Sequence, residues 1–62
     1  MNETLLNALI NECTAAREVS KTEGQGAINA TERLIEGIAT VIYKHEEYSN
    51  YEEFIRKTGI HH

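Results

Sequence analysis

Apolar residues in this chain return every three or four positions, in two long series, and no proline interrupts them. Leu5, Leu6, Leu9, Ile10, Cys13, Ala16 and Val19 make up the first series. Such spacing marks one face of a 3.6-residue helix. Glu3, Asn7, Glu12, Arg17, Glu18 and Lys21 fall mostly on the other side. A helix is predicted over residues 2–22, with Asn2 as its N-cap. Glu3 then sits in the first turn, where the helix dipole favours an acid. Ala27, Ile28, Thr31, Leu34, Ile35, Ile38, Val41, Ile42 and His45 form the second series. It predicts a helix over residues 26–47, with Glu32, Arg33, Glu36, Lys44 and Glu47 facing away. Gly37 lies inside this helix, where it marks either a close helix contact or a tolerated surface position.

Both faces can meet one core only if the chain reverses between them. Gly24-Gln25-Gly26 supplies the reversal. Gly24 suits the residue just past a helix end, where a positive φ is needed. The start of the second helix stays open between Glu23 and Ala30, because Ser20-x-x-Glu23, Thr22-x-x-Gln25 and Asn29-x-x-Glu32 all resemble capping boxes. A start near Gly26 fits the apolar series best. A phosphate-cradling loop needs more glycines, usually with a following Lys and Ser or Thr and a preceding strand. Those features are missing here.

A third segment is predicted over residues 50–58. Ser49-x-x-Glu52 and Asn50-x-x-Glu53 signal its start. Tyr51, Phe54 and Ile55 give it an apolar side, and Gly59 ends it. A helix this short needs something to pack against. The open end of the hairpin is the expected place, with Tyr48, Tyr51 and Phe54 covering the core.

The chain has 62 residues, which bounds it to one all-α domain, residues 1–62. A core of this size supplies only ~3–5 kcal/mol, so small domains usually add a disulfide, a metal or a second copy. Cys13 is the only cysteine, so no disulfide forms within the chain. The apolar faces are wide: Leu5/Leu6, Leu9/Ile10, Leu34/Ile35 and Val41/Ile42 come as adjacent pairs. A two-helix seam needs a narrower stripe. Two copies of the hairpin in a four-helix bundle would use the full width, so a homodimer is expected. The alternatives are a three-helix monomer, and a stripe that belongs to another protein. Leu5, Leu9, Cys13, Ala16, Leu34, Ile38, Val41 and Ile42 are the expected core and dimer positions.

Ten acids against six bases leave a net charge of −4. An acidic chain repels nucleic-acid phosphates and anionic membrane surfaces. No apolar run approaches a membrane span, and the N-terminus lacks the basic start of a signal peptide. A cytoplasmic protein is expected. Without such a signal, the glycosylation patterns at Asn2 and Asn29 carry no weight.

Chemistry-bearing residues are few. His45 suits the dipole at a helix C-terminus. Its helical neighbours Val41, Ile42, Tyr48 and Ser49 are not metal ligands, so neither a metal nor a cofactor is expected. Cys13 lies within the apolar series and reads as a small buried residue. Thr31 reads as a helix residue bonding back to its own backbone. Glu46-Glu47 and Glu52-Glu53 flank two tyrosines. Glu47, Tyr48, Tyr51, Glu52 and Arg56 are the candidate partner-binding residues, since Tyr is enriched at interfaces and acids meet basic partners. His61 and His62 enter no functional argument.

The expected function is a small interaction module: a regulator, inhibitor or adaptor of bacterial or viral type that occupies a partner protein's surface. The alternative is a purely structural self-associating module. A nucleic-acid-binding regulator ranks below both, and enzymatic activity and a small-molecule substrate are not expected.

Overall fold

The computed structural model describes residues 1–60. His61 and His62 lie outside the described residues. All three elements are helices: α1 (Glu3–Ser20), α2 (Gln25–His45) and α3 (Tyr48–Thr58). α1 and α2 run antiparallel, so that Arg17 meets Glu32 near one end and the Met1 ammonium meets Glu46 at the other. α3 returns along the pair, from the Tyr43 end of α2 back to Arg17.

Local chemistry sets the helix ends. Asn2 caps α1, its Oδ1 accepting from the Leu5 N–H at 2.7 Å. α1 stops at Ser20, whose hydroxyl donates to the Arg17 carbonyl at 2.6 Å. Thr22 makes the same bond to Val19 at 2.7 Å. Neither residue caps α2, because Ser20 still belongs to α1 and Thr22 lies in the turn ahead of Gly24. That role falls to Gly24, at φ 106° and ψ 174°, a region essentially reserved for glycine. The positive φ expected there is present, although Gly24 opens α2 rather than closing α1.

α3 begins at Tyr48, two residues before the predicted start. Glu47 occupies the cap position without a side-chain bond, and its carbonyl accepts from the Asn50 N–H at 3.0 Å. Ser49 and Asn50 therefore sit inside the first turn, and neither capping box forms. The two residues between α2 and α3 turn the chain in extended conformations. Gly59 ends α3 in the left-handed conformation at φ 72°. Its N–H and that of Ile60 both bond to the Ile55 carbonyl, which folds Ile60 back into the core.

Leu6, Ile10, Cys13, Ile35, Ala39, Ile42, Phe54 and Ile60 form the core. Phe54 is fully buried and puts α3 against both other helices. The buried hydroxyls of Ser20 and Thr58 are satisfied within their own helices, Thr58 donating to the Phe54 carbonyl at 2.6 Å. This is the three-helix arrangement of a single chain.

Arg17 ties the three helices together. Its Nε donates to Glu32 Oε1 at 2.7 Å and its Nη2 to Glu32 Oε2 at 3.2 Å. Its Nη1 donates to the Thr58 carbonyl at the end of α3. The reading of Arg17 and Glu32 as outward-facing residues is thus corrected: they meet across α1 and α2, and each is only partly exposed.

Candidate functional site

The wide apolar stripe of each helix resolves into two parallel seams. Along α1, Leu6, Ile10, Cys13, Arg17 and Ser20 step by four and three residues and face the interior. Leu5, Leu9, Glu12, Ala16 and Val19 repeat the same steps one residue earlier. Along α2, the inner seam is Ile28, Glu32, Ile35, Ala39 and Ile42. The outer one is Ala27, Thr31, Leu34, Ile38, Val41 and His45. A four-three repeat of apolar residues is the pattern with which a helix packs into a second helix.

α3 covers only the inner seams. The expected core positions divide accordingly. Cys13 and Ile42 are buried, Leu9 and Ile38 are partly buried against the core, and Leu5, Ala16, Leu34 and Val41 are exposed. Leu34 keeps 62% of its surface, Val41 57%, Val19 57% and Leu5 55%. Four large apolar side chains on neighbouring seams form a face rather than scattered exceptions.

Two grooves run between α1 and α2. One of ≈ 480 Å³ is lined by Met1, Leu9, Arg33, Leu34, Gly37, Ile38, Val41 and Ile42. The other, ≈ 370 Å³, lies toward the turn and is lined by Glu12, Ala15, Ala16, Val19, Ser20, Glu23, Ala27 and Thr31. Gly37 borders the first, and a Cβ built on it would meet nothing within 4 Å. Within the chain, then, it marks open surface rather than a close helix contact. Arg33 and Glu12 border the grooves, and neither belongs to an ion pair among the described residues.

A second surface lies where α2 meets α3. Tyr43, Tyr48 and Tyr51 form one aromatic cluster. Tyr43 packs edge-on against Tyr51 with ring centroids 4.9 Å apart, and against Tyr48 at 6.4 Å. Tyr48 and Tyr51 lie 5.7 Å apart. The structure thus brings together the predicted Tyr48 and Tyr51 and adds Tyr43, which the sequence reading passed over. The two-residue link between α2 and α3 was the available signal, since it must fold Tyr43 back against the start of α3. Glu47 and Glu52 are exposed beside the cluster, and Arg56 is exposed one turn further along. Tyr48 is exposed and does not cover the core as expected, whereas Tyr51 is partly buried and packs against it. Phe54 is buried there as expected, and Ile60 joins it.

The reactive residues stand apart. Cys13 is buried, and burial pushes its thiol above the ordinary range, with Arg17 opposing and Glu12 adding to the rise. That environment is the opposite of one that activates a thiolate. His45 is exposed in the last turn of α2, beside Lys44. Among the described residues, no group of three or more His, Cys, Asp or Glu is placed to hold a metal ion. No helix of the described residues is long and apolar enough to cross a membrane.

The architecture defines a class: a three-helix, up-down-up domain with an open apolar face on its first two helices. No protein-family model matches the chain, and no curated protein or solved structure is significantly similar to it.

Proposed function

We propose that this chain is a protein–protein interaction module, acting as a regulator, inhibitor or adaptor by covering a partner's surface. The supporting observation is the second pair of seams, a coiled-coil pattern written on both long helices and left uncovered by the chain's own third helix. An apolar face of this kind marks an interaction site. It also favours self-association, in which two hairpins close a four-helix bundle and α3 stays outside. Cytoplasmic residence belongs to the same reading. So does binding in place of catalysis, which the buried, protonated Cys13 supports.

The tyrosine cluster with Glu47, Glu52 and Arg56 supplies a second surface for the partner. Affinity capture from an extract of the source organism tests the reading, with wild type, Tyr48→Ala and Leu34→Glu as parallel baits. A protein retained by wild type in near-equal amount, and lost with either variant at unchanged helicity, is the expected result. Retention of the bait alone by all three would remove the regulator reading and leave self-assembly.

A further inference from the structure

We infer that the open face takes a second copy of this chain, with α1 of one copy lying over α2 of the other. The inference rests on reading the face as an interaction surface, and it commits that surface to one occupant and one arrangement.

The first argument is self-complementary pattern. Both helices carry the same four-three seam, so either can pack into either. Two helices side by side and ~27 Å long offer roughly 500 Å² in flat projection. Side-chain relief raises this toward the ~800 Å² per partner of a standard interface. A two-fold pairing uses all of that area on both copies.

The second argument is charge, and it selects the arrangement. Glu12 is the one acid within the α1 seam, and Arg33 flanks the α2 seam. Neither has an ionic partner in its own chain among the described residues. Stacking α1 on α1 about its centre brings Glu12 toward its own copy, and two like charges in a drying interface repel. Stacking α1 on α2 avoids this.

The register already held within the chain shows what Glu12 meets instead. Arg17 lies level with Glu32. Five residues before Arg17 is Glu12, and five after Glu32 is Gly37. A two-fold axis along the helices, keeping that register between copies, sets Glu12 over the partner's equivalent of Gly37. Nothing within 4 Å would meet a side chain at that point. Arg33 begins one helical turn away, about 6 Å along the axis, within reach of its long side chain. The ion pair forms twice, once on each side of the axis.

Sedimentation equilibrium over a wide concentration range tests this on wild type, Glu12→Arg, Arg33→Glu and the double variant. Circular dichroism of each confirms folding, which two exposed residues should not disturb. A wild-type dimer is expected. Each single reversal should raise its dissociation constant about tenfold or more, and the double variant should return to within about threefold of wild type. Wild type that stays monomeric at millimolar concentration would overturn the inference and leave the face to a different protein. A dimer indifferent to the single reversals, or not rescued by the double, would also overturn it, while the reading of the face as an interaction surface would stand.

Discussion

Arg17 is the residue on which the three helices converge. A guanidinium has a rigid fork of donors, and here it spans a carboxylate on α2 and a carbonyl on α3. Hydrogen bonds to charged groups contribute ~1.5–3 kcal/mol each, and partial exposure of this pair discounts that. Arg17→Ala should therefore destabilise the chain by roughly 1–2 kcal/mol, read from urea unfolding followed by circular dichroism. Arg17→Lys should recover only part, because one ammonium cannot fork across both partners. An unchanged urea midpoint in Arg17→Ala would mean the clamp contributes nothing. None of this was legible in the sequence. Arg17 and Glu32 are polar residues at inner-seam positions, and a hydropathy pattern assigns polar residues outward by default. Their pairing appears only once two helices are laid side by side in register.

At the scale of elements, the helices were legible and their joints were less so. Periodicity placed α1 and α2 within two residues at each end, because apolar spacing over five turns is a long signal. Caps are single-residue events with several candidates each, and none of the capping boxes read ahead of α2 or α3 forms. Ser20 and Thr22 donate backward, and Ser49 lies inside a turn. Ala39, fully buried on α2, was missed because a small residue adds little to a hydropathy pattern. The two central glycines should respond oppositely to the same substitution. Gly24→Ala forces a side chain into the backbone region at φ 106°, and should cost of order 1–3 kcal/mol. Gly37→Ala adds a Cβ to open space in a helix interior, and should gain ~1 kcal/mol or less in dilute solution. Thermal unfolding of both variants beside wild type checks the signs. A stabilised Gly24→Ala would mean that the turn does not need its glycine.

For the whole molecule, the question is whether one chain is the stable unit. Its width was legible from the paired apolar residues, but a wide stripe says only that two contacts are made. It does not say which half faces inward. α3 decides that by placing Phe54 and Ile60 over the inner seams, and so leaves Leu5, Val19, Leu34 and Val41 outside. A single chain of this size draws on a core worth only ~3–5 kcal/mol. Covering a Leu adds ~1.5–3 kcal/mol, so even part of the outer face matters on that scale. Leu34 distinguishes the two states of the molecule. On an open surface, Leu34→Gln changes stability by no more than about 0.5 kcal/mol, and the thermal midpoint ignores protein concentration. In a covered face the midpoint rises with concentration, because assembly draws on the folded state alone. The expected outcome is the second: a midpoint that climbs across a hundredfold range of concentration in wild type and stays level in Leu34→Gln. The two proteins should then melt together when dilute and separate as concentration grows. That divergence assigns the lost stability to the outer seam, because a defect inside the three-helix core would lower the midpoint at every concentration alike.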